Sequence, residues 1–306
     1  MCSYLIIISK KSFTIDELKI ANQYISSRGP DQTFLFQQKF EEFNFYSIHN
    51  LLDISGRGIC QPIKNDESKF LYFNGEIYEP SFEKSDTEIL NNKFINNELD
   101  DFLKHVSGEF CICSIDAFKK EIDIFSDLIK TKPLFYYVNN DFIGISSYKS
   151  ALENFNLQNI KEFEPNSHYK IDFSEFDNIK LEKKVLYELK LKQYKLSLED
   201  WNRKLLKSIS QRISHFKSVP FVPLSSGYDS GLICCALNKL GIKYTSISLG
   251  DYEDLKILKK RIKINKKHSC IKHYYLPPLT KDDFYTFSKL IKEKLGEIKY
   301  SHLDGD

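Results

Sequence analysis

Residues 107–137, SGEFCICSIDAFKKEIDIFSDLIKTKPLFYY, carry the clearest fold signal in the chain. Three apolar or aromatic runs lie in this stretch, at Glu109–Ile115, Glu121–Phe125 and Leu134–Val138. Clusters rich in Asp and Lys separate these runs, as turns separate short strands. The stretch therefore predicts successive β-strands.

The same pattern extends through the first half of the chain. Helical periodicity appears only at Ile15–Ser26 and at Asp86–Phe94, where Ser85 is a suitable N-cap. Residues 174–196 are polar and rich in lysine, which predicts a linker or an irregular edge. Further short apolar runs that predict strands occur at Tyr4–Ile8, Phe43–Ile48, Lys69–Phe73 and Phe142–Ser146.

The pattern changes after residue 197, where predicted strands alternate with predicted helices. Such alternation is typical of a parallel sheet with helical crossovers. A chain of 306 residues is long enough for two domains, which we place at residues 1–190 and 191–306. The predicted elements of the second domain are helices at Leu198–Phe216, Ser230–Leu240 and Lys281–Lys294, a basic helix after residue 250, and strands at Val219–Leu224, Tyr244–Leu249 and Ile271–Leu276.

Composition and charge exclude several classes of protein. The apolar fraction is 42% and the charged fraction 28%, values typical of globular domains rather than of disordered or fibrous chains. The net charge of +2 gives no general attraction to nucleic acid or to anionic membranes. The sequence shows no signal peptide and no apolar stretch long enough to span a bilayer. We therefore expect a cytoplasmic protein that binds neither membrane nor nucleic acid.

The seven cysteines do not form a disulfide or zinc pattern, but Cys2 has a special position. Removal of Met1 would make Cys2 the first residue of the mature chain. A free α-amine has a pKa of about 7.7–8.0, so it can accept the thiol proton at neutral pH. The resulting thiolate can attack a carbonyl carbon. Cys2 is therefore a candidate catalytic nucleophile.

The segment Asn74-Gly75-Glu76-Ile77-Tyr78-Glu79 could supply the oxyanion hole that such a reaction needs. The donors would be the side-chain amide of Asn74 and the backbone N–H of Gly75. The alternative interpretation is an Asn-Gly turn that closes the strand Lys69–Phe73, and the segment alone favours this turn.

A second candidate site lies at Leu224-Ser225-Ser226-Gly227-Tyr228-Asp229-Ser230, between a predicted strand and a predicted helix. Small residues and a helix N-terminus can surround a phosphate group. The carboxylate of Asp229 could hold Mg²⁺ or cap the helix. A plain turn with a Ser-rich N-cap explains the segment equally well.

Six motifs in fixed order resemble the class II glutamine amidotransferases of the asparagine synthetase type. After Cys2 come the segments RGPD at 28–31, Gln61-Pro62 and NGEIYE at 74–79, then Asp86-Thr87-Glu88 and the quoted stretch 107–137. The loop at 224–230 resembles the SGGxDS loop of the ATP pyrophosphatase (PP-loop) enzymes. The resemblance implies an α+β Ntn-hydrolase domain, an αββα sandwich, followed by a partial α/β parallel-sheet PP-loop domain.

The resemblance also implies roles for individual residues. Cys2 would form a glutamyl thioester, with Asn74 and Gly75 as the oxyanion hole and Glu76 and Asp86 as ligands of the glutamine α-amino group. ATP and Mg²⁺ are the implied cofactors, aspartate is an implied acceptor, and a second polypeptide or a homodimer is the implied partner. The residues implied to bind ATP are Leu224, Ser225, Ser226, Gly227, Asp229, Ser230 and Leu249, with Asp229 as the ligand of Mg²⁺.

The sequence departs from the family pattern at several positions. Asn50 stands where the family has the arginine that binds the glutamine α-carboxylate, and Arg57 is a candidate replacement. Ser3 replaces a glycine, Tyr148 a glutamate and Ser226 a glycine. No acidic, glycine-rich loop and lysine that would complete a synthetase site occur in residues 251–306.

These departures keep two alternatives open. One is a catalytically reduced binding or regulatory subunit of a split synthetase. The other is the amidotransferase arm of a nucleobase-modifying PP-loop enzyme, which the lack of a C-terminal zinc-binding cysteine set disfavours.

Overall fold

The computed structural model describes residues 2–53, 58–79, 85–189, 191–214, 218–250, 253–278 and parts of 280–289. These residues form two compact units, the first ending before residue 190 and the second beginning at Leu191. Each unit has its own hydrophobic core.

The first unit contains two six-stranded antiparallel sheets. The first sheet has the order β10-β8-β9-β1-β3-β2 and the second the order β12-β11-β7-β6-β5-β4. The strands are β1 (Ser3–Ser9), β2 (Gln32–Lys39), β3 (Asn44–Leu51), β4 (Ile63–Lys64), β5 (Lys69–Glu79), β6 (Ser107–Asp116), β7 (Glu121–Ser126), β8 (Phe135–Asn139), β9 (Phe142–Ser146), β10 (Lys161–Glu162), β11 (Ser167–Asp172) and β12 (Lys180–Val185).

The two sheets pack face to face through a large apolar layer. Tyr4, Ile6 and Ile8 of β1 enter this layer from the first sheet, and Phe70 and Tyr72 of β5 enter it from the second. The rings of Tyr4 and Tyr72 lie 5.6 Å apart. Every residue of β1 is buried, because both faces of the strand are covered. That explains why β1 reads as a continuous apolar run rather than an alternating one.

Helices cover the outer faces of both sheets. Leu18 of α1 and Leu152 of α4 pack on the first sheet, whereas Leu90 of α2 and Leu103 of α3 pack on the second. This gives four layers, in agreement with the expected αββα arrangement. The helices are α1 (Ile15–Asn22), α2 (Asp86–Ile95), α3 (Leu99–Leu103) and α4 (Lys149–Glu153).

The second unit is built on a small parallel sheet in the order β13-β14-β15. Three helices of this unit share one apolar core with the strands, through residues such as Ile209, Leu237 and Leu258. The elements are α5 (Glu199–Ser214), β13 (Phe221–Pro223), α6 (Tyr228–Leu240), β14 (Tyr244–Leu249), α7 (Leu255–Lys266) and β15 (Cys270–Leu276).

The structure differs from the sequence-based expectation in two places, and a third expectation is largely untested. Asn74 and Gly75 form no turn, because β5 continues through them and pairs them with Cys111 and Phe110 of β6. Residues 180–185, expected in a linker, form the edge strand β12. All its residues are exposed, so it has no apolar alternation to reveal it. Most of the helix predicted over 281–294 lies outside the described residues.

The core of the second sheet allows a stability test. Leu90 is fully buried between α2 and this sheet, so Leu90→Ala should lower the free energy of unfolding by about 2–5 kcal/mol. Phe118→Ala is the matched control, because Phe118 is 73% exposed and its loss should cost less than about 0.5 kcal/mol. Urea denaturation of both variants checks this, and equal effects would contradict the layer assignment.

Candidate active site

Cys2 lies at the start of β1, beside the residue that follows β3. The Leu52 N–H donates to Cys2 Sγ at 3.5 Å, and the thiol donates to the Leu52 carbonyl at 3.9 Å. Burial raises the pKa of the Cys2 thiol, and Glu76 and Asp86 raise it further. The N-terminal amine and the Leu52 N–H act in the opposite direction. The thiol therefore lies in a partly buried pocket with acidic neighbours.

Glu76 and Asp86 come from different elements and meet in this pocket. Glu76 is in β5 and Asp86 is the first residue of α2. Asp86 accepts hydrogen bonds from the backbone N–H groups of Ile77, at 3.2 Å, and Thr87, at 2.7 Å. Burial and the charge of Asp86 raise the pKa of Glu76 to about 7, and burial also raises the pKa of Asp86. Two crowded carboxylates gain most from a bound cation.

Asn74 lies two residues before Glu76 on β5, and its side-chain amide is buried and unsatisfied. The residue is 1% exposed, and neither Asn74 Nδ2 nor Oδ1 has a partner within the described part of the chain. An unpaired buried amide lowers the stability of the folded state by about 1–3 kcal/mol. Such a group is therefore typical of a site where a ligand binds.

Gly75 is required by the close approach of β6. A Cβ at this position would lie 2.1 Å from the Glu109 carbonyl oxygen and 2.7 Å from Phe110 Cα. No side chain fits there, so the glycine allows β5 to carry Asn74 and Glu76 past β6 without a break.

The RGPD segment packs against the end of β3. A Cβ on Gly29 would lie 2.2 Å from the Asn50 carbonyl oxygen. Asp31 accepts a hydrogen bond from the Asp53 N–H at 2.7 Å, and Arg28 donates to the hydroxyl of Tyr148. The tyrosine that departs from the family pattern is thus a partner of Arg28.

Asn50 does not present its amide to a substrate. Its Nδ2 donates to Ser3 Oγ at 3.1 Å and to Asn22 Oδ1 at 2.8 Å, while its Oδ1 accepts from the Thr33 hydroxyl at 2.8 Å. Both amide hydrogens are therefore engaged, and the residue is fully buried. This geometry argues against Asn50 as a ligand of the glutamine α-carboxylate. The candidate replacement, Arg57, lies outside the described residues.

Lys132 belongs to this site, although the sequence analysis did not single it out. Its side chain is only 6% exposed, and its Nζ lies 3.4 Å from Glu109 Oε2. Lys132 also lowers the pKa of Glu76, which places its charge near the acidic pair. The available signal was its position in the quoted stretch 107–137, within the Lys-Pro-Leu part of the motif.

The first unit thus brings together a thiol, an unpaired amide and an acidic pair. These groups can attack a carbonyl carbon, bind the oxyanion that forms and hold an ammonium group.

The loop of the second unit joins β13 to α6. Ser230 Oγ accepts from the Ser225 N–H at 3.0 Å, and Ser225 Oγ accepts from the Gly227 N–H at 3.1 Å. The Ser226 N–H donates to the carboxylate of Glu253. This backbone amide of the loop therefore has an anionic partner in the structure.

Arg261 of α7 supports the same loop and was missed by the sequence analysis. It donates to the Ser225 carbonyl at 2.8 Å and to the Gly227 carbonyl. Gly231 makes room for it, since a Cβ there would lie 2.8 Å from the guanidinium carbon. No local sequence motif predicts that an arginine of a later helix contacts this loop.

The remaining residues implied to bind ATP differ in exposure. Leu224 is buried, Leu249 is 56% exposed, and Asp229 is exposed in the first turn of α6. No group of three or more metal-ligating side chains occurs among the described residues. The described helices also include none that is long and apolar enough to cross a membrane.

Comparison with known proteins gives independent information on the first unit. A family model described as the glutamine amidotransferase domain matches residues 1–185, more than half of the chain. A protein of Methanocaldococcus jannaschii named "Putative asparagine synthetase (glutamine-hydrolyzing) 1" is 28% identical. The alignment covers 81% of this chain and 53% of that protein, so the chain spans about half the length of this relative.

Two solved structures resemble the chain more distantly. The allosteric regulatory enzyme of purine biosynthesis is 10% identical with a TM-score of 0.47, over 90% of this chain and 80% of that one. Glutamine phosphoribosylpyrophosphate amidotransferase from B. subtilis is 11% identical with a TM-score of 0.48, over 96% of this chain and 89% of that one.

The raised pKa of Glu76 predicts a pH-dependent cost to stability. Its folded pKa of about 7 exceeds its ordinary value of 4.5, so the folded state binds more protons between these values. The free energy of unfolding should therefore fall as pH rises from 4.5 to 7. Glu76→Gln should raise it by about 1–2 kcal/mol at pH 8 and leave it unchanged near pH 4.

Urea denaturation at several pH values measures this. Glu182→Gln on the exposed edge strand β12 is the control and should change little at any pH. A Glu76→Gln effect that is the same at pH 4 and pH 8 would show that ionisation of Glu76 is not its source.

Proposed function

The chain belongs to the glutamine amidotransferase domain family, and on this premise we propose that Cys2 releases ammonia from the side-chain amide of glutamine. The observation that carries the proposal is the grouping of the Cys2 thiol with Glu76 and Asp86. Cys2 directly precedes β1, whereas Glu76 lies in β5 and Asp86 in α2, yet both carboxylates act on the pKa of the thiol. The pocket matches the chemistry of glutamine, an amide carbonyl at one end and an ammonium group at the other.

The reaction begins once removal of Met1 frees the α-amine of Cys2. The amine takes the thiol proton, and the thiolate attacks the amide carbon to form a C–S bond. The oxyanion accepts hydrogen bonds from Asn74 Nδ2 and the Gly75 N–H, which supplies the partner that the buried Asn74 amide lacks. The C–N bond breaks as the leaving nitrogen takes the proton, so ammonia departs. Water then cleaves the thioester to glutamate.

Glu76 and Asp86 would hold the α-ammonium group of glutamine. Bringing a cation between them lowers the pKa of both carboxyls and stabilises their ionised forms. The α-carboxylate needs a donor other than Asn50, because both hydrogens of that amide are engaged.

For the second unit we propose ATP-dependent activation of a carboxylate by a PP-loop domain. Three features of the Ser-rich loop support this. They are its serines, the hydrogen bond from the Ser226 N–H to the Glu253 carboxylate, and the hydrogen bond that Arg261 donates to the Ser225 carbonyl. Ser225, Ser226, Gly227 and Ser230 would surround the phosphates, with Asp229 near Mg²⁺ and Leu224 and Leu249 near the nucleoside. The adenylyl group of ATP would pass to the carboxylate of an acceptor such as aspartate with release of pyrophosphate, and ammonia would then displace AMP to form the amide.

A complete synthetase would need more than the chain described here. The named relative from M. jannaschii is about twice as long as the region aligned with it. We propose that a second polypeptide or a second copy of the chain completes the acceptor site, and that the assembly is cytoplasmic.

A binding or regulatory subunit is the second candidate function. The engagement of Asn50 favours it, since the family's carboxylate-binding position is occupied by internal hydrogen bonds. This candidate predicts neither glutamate release nor nucleotide binding by the isolated chain.

Cys2→Ala should reduce glutamate release from glutamine by about a thousandfold or more, because the nucleophile is lost. Intact mass should first confirm that wild-type protein lacks Met1. Cys60→Ala is the matched control, since Cys60 is exposed and should leave the rate unchanged. Undiminished release by folded Cys2→Ala protein would eliminate the nucleophile assignment.

Mg-ATP should bind the chain, and Asp229→Ala should weaken binding about tenfold through loss of a ligand to the cation. Isothermal titration calorimetry measures this. Asp200→Ala is the control, because Asp200 lies in the first turn of α5, another helix. Equal affinity of both variants would remove Asp229 from the nucleotide site.

A further inference from the structure

We propose that Lys132 is a positioning residue that balances the carboxylates of the acidic pocket, through its ion pair with Glu109 opposite Glu76, and so prepares Glu76 to receive the α-ammonium group of glutamine. This inference rests on the proposed function of the first unit, which it deepens by assigning a role to a lysine outside the reacting groups.

The pairing of β5 with β6 creates the need for this cation. Glu76 of β5 lies directly opposite Glu109 of β6. Directly opposed residues of an antiparallel pair have Cβ atoms about 4.5–5.5 Å apart, and like charges at this position repel. Asp86 adds a third carboxylate, held beside Glu76 by the N–H of Ile77. Three carboxylates at one end of a sheet require compensation.

Lys132 is placed to provide it. Its Nζ lies 3.4 Å from Glu109 Oε2, and its side chain is 6% exposed against 25% for Glu109. A lysine is rarely so buried unless its charge is paired. An ion pair this sheltered from solvent is screened much less than a surface pair.

The turn before Lys132 is rigidly anchored to β6. Asp127 is 3% exposed and its carboxylate accepts from the Phe110 N–H at 2.9 Å, the Ile129 N–H at 3.0 Å and the Thr131 N–H at 3.0 Å. The Thr131 hydroxyl donates to the same carboxylate at 2.5 Å. Lys132 thus follows directly after a turn that is hydrogen-bonded to β6, the strand that carries Glu109.

The charges that act on Glu76 complete the argument. Asp86 and Glu109 raise its pKa, whereas Lys132 and the N-terminal amine lower it. Loss of Lys132 would raise the pKa of Glu76 further and so increase its protonated fraction at neutral pH, and a neutral carboxyl is a poor ligand for an ammonium group. The role is electrostatic, since Lys132 does not need to touch the substrate.

The first test is the pH dependence of glutaminase kinetics. Lys132→Met should raise the KM for glutamine about fivefold at pH 7 with kcat changed less than twofold, because a rise of about one unit from a pKa of about 7 lowers the ionised fraction of Glu76 by about that factor. The KM should approach the wild-type value at pH 8.5, where Glu76 is ionised again. Lys132→Arg should behave as wild type.

The matched control is Lys170→Met. Lys170 pairs with Glu121 at 2.7 Å on the same sheet, away from the acidic pocket, and its loss should leave KM unchanged at every pH. The double variant Lys132→Met/Glu109→Gln removes both members of the pair and should recover most of the affinity. A parallel loss of kcat and KM at all pH values, without recovery in the double variant, would overturn the proposal in favour of a structural role.

The second test does not require glutaminase activity. The fall in the free energy of unfolding with pH should continue to higher pH in Lys132→Met than in wild type, and Glu76→Gln should abolish the difference between them. An unchanged pH profile would refute the electrostatic role. If Lys132→Met shifts this profile but wild type releases no glutamate, the proposed function fails while the charge coupling stands.

Discussion

The close approach of β5 and β6 at Gly75 is the constraint on which the candidate active site depends. The Glu109 carbonyl oxygen occupies the space of a side chain at that position, so only glycine allows the ladder to continue. Because side chains alternate along a strand, Asn74 then enters the layer between the sheets and Glu76, two residues later, lies on the same side of the strand. A turn at Asn74-Gly75 would have separated these groups. Continuous pairing instead places both near the start of β1, where Cys2 lies.

The burial that brings the pocket residues together also lowers the stability of the protein when no substrate is bound. Burial raises the pKa of Cys2, Glu76 and Asp86, and the two carboxylates raise the pKa of the thiol further. A cation bound between the carboxylates would relieve their repulsion and remove part of their effect on the thiol. Recognition of an ammonium group and activation of the nucleophile would thus be coupled through charge. Groups held in an unfavourable electrostatic state are common where function, rather than stability, sets the structure.

The sequence predicted the elements whose apolar pattern is strong and missed those without one. β1 and α2 were predicted because continuous or periodic apolar residues cover them, and Ser85 is the N-cap of α2 as expected. β12 was not predicted, because an exposed edge strand needs no apolar residue. Lys132 and Arg261 escaped for another reason: each acts on residues distant in sequence, and only the fold brings them together. Sequence motifs identify the reacting groups more readily than they identify the residues that support those groups.

The residues of the first unit that depart from the family pattern have hydrogen-bond partners in the structure. Ser3 and Asn50, both departures, hydrogen-bond to each other at 3.1 Å, and Ser3 Oγ donates to the Ile25 carbonyl at 2.7 Å. Tyr148, another departure, accepts from Arg28 and lies under its guanidinium group at 5.0 Å. Random loss of function leaves buried polar groups without partners, at about 1–3 kcal/mol each. Here Ser3 pairs with Asn50 and Tyr148 pairs with Arg28, whereas the Asn74 amide is left unpaired. A pocket whose supporting residues are hydrogen-bonded, around a partly buried thiol and an open amide, is organised for a ligand.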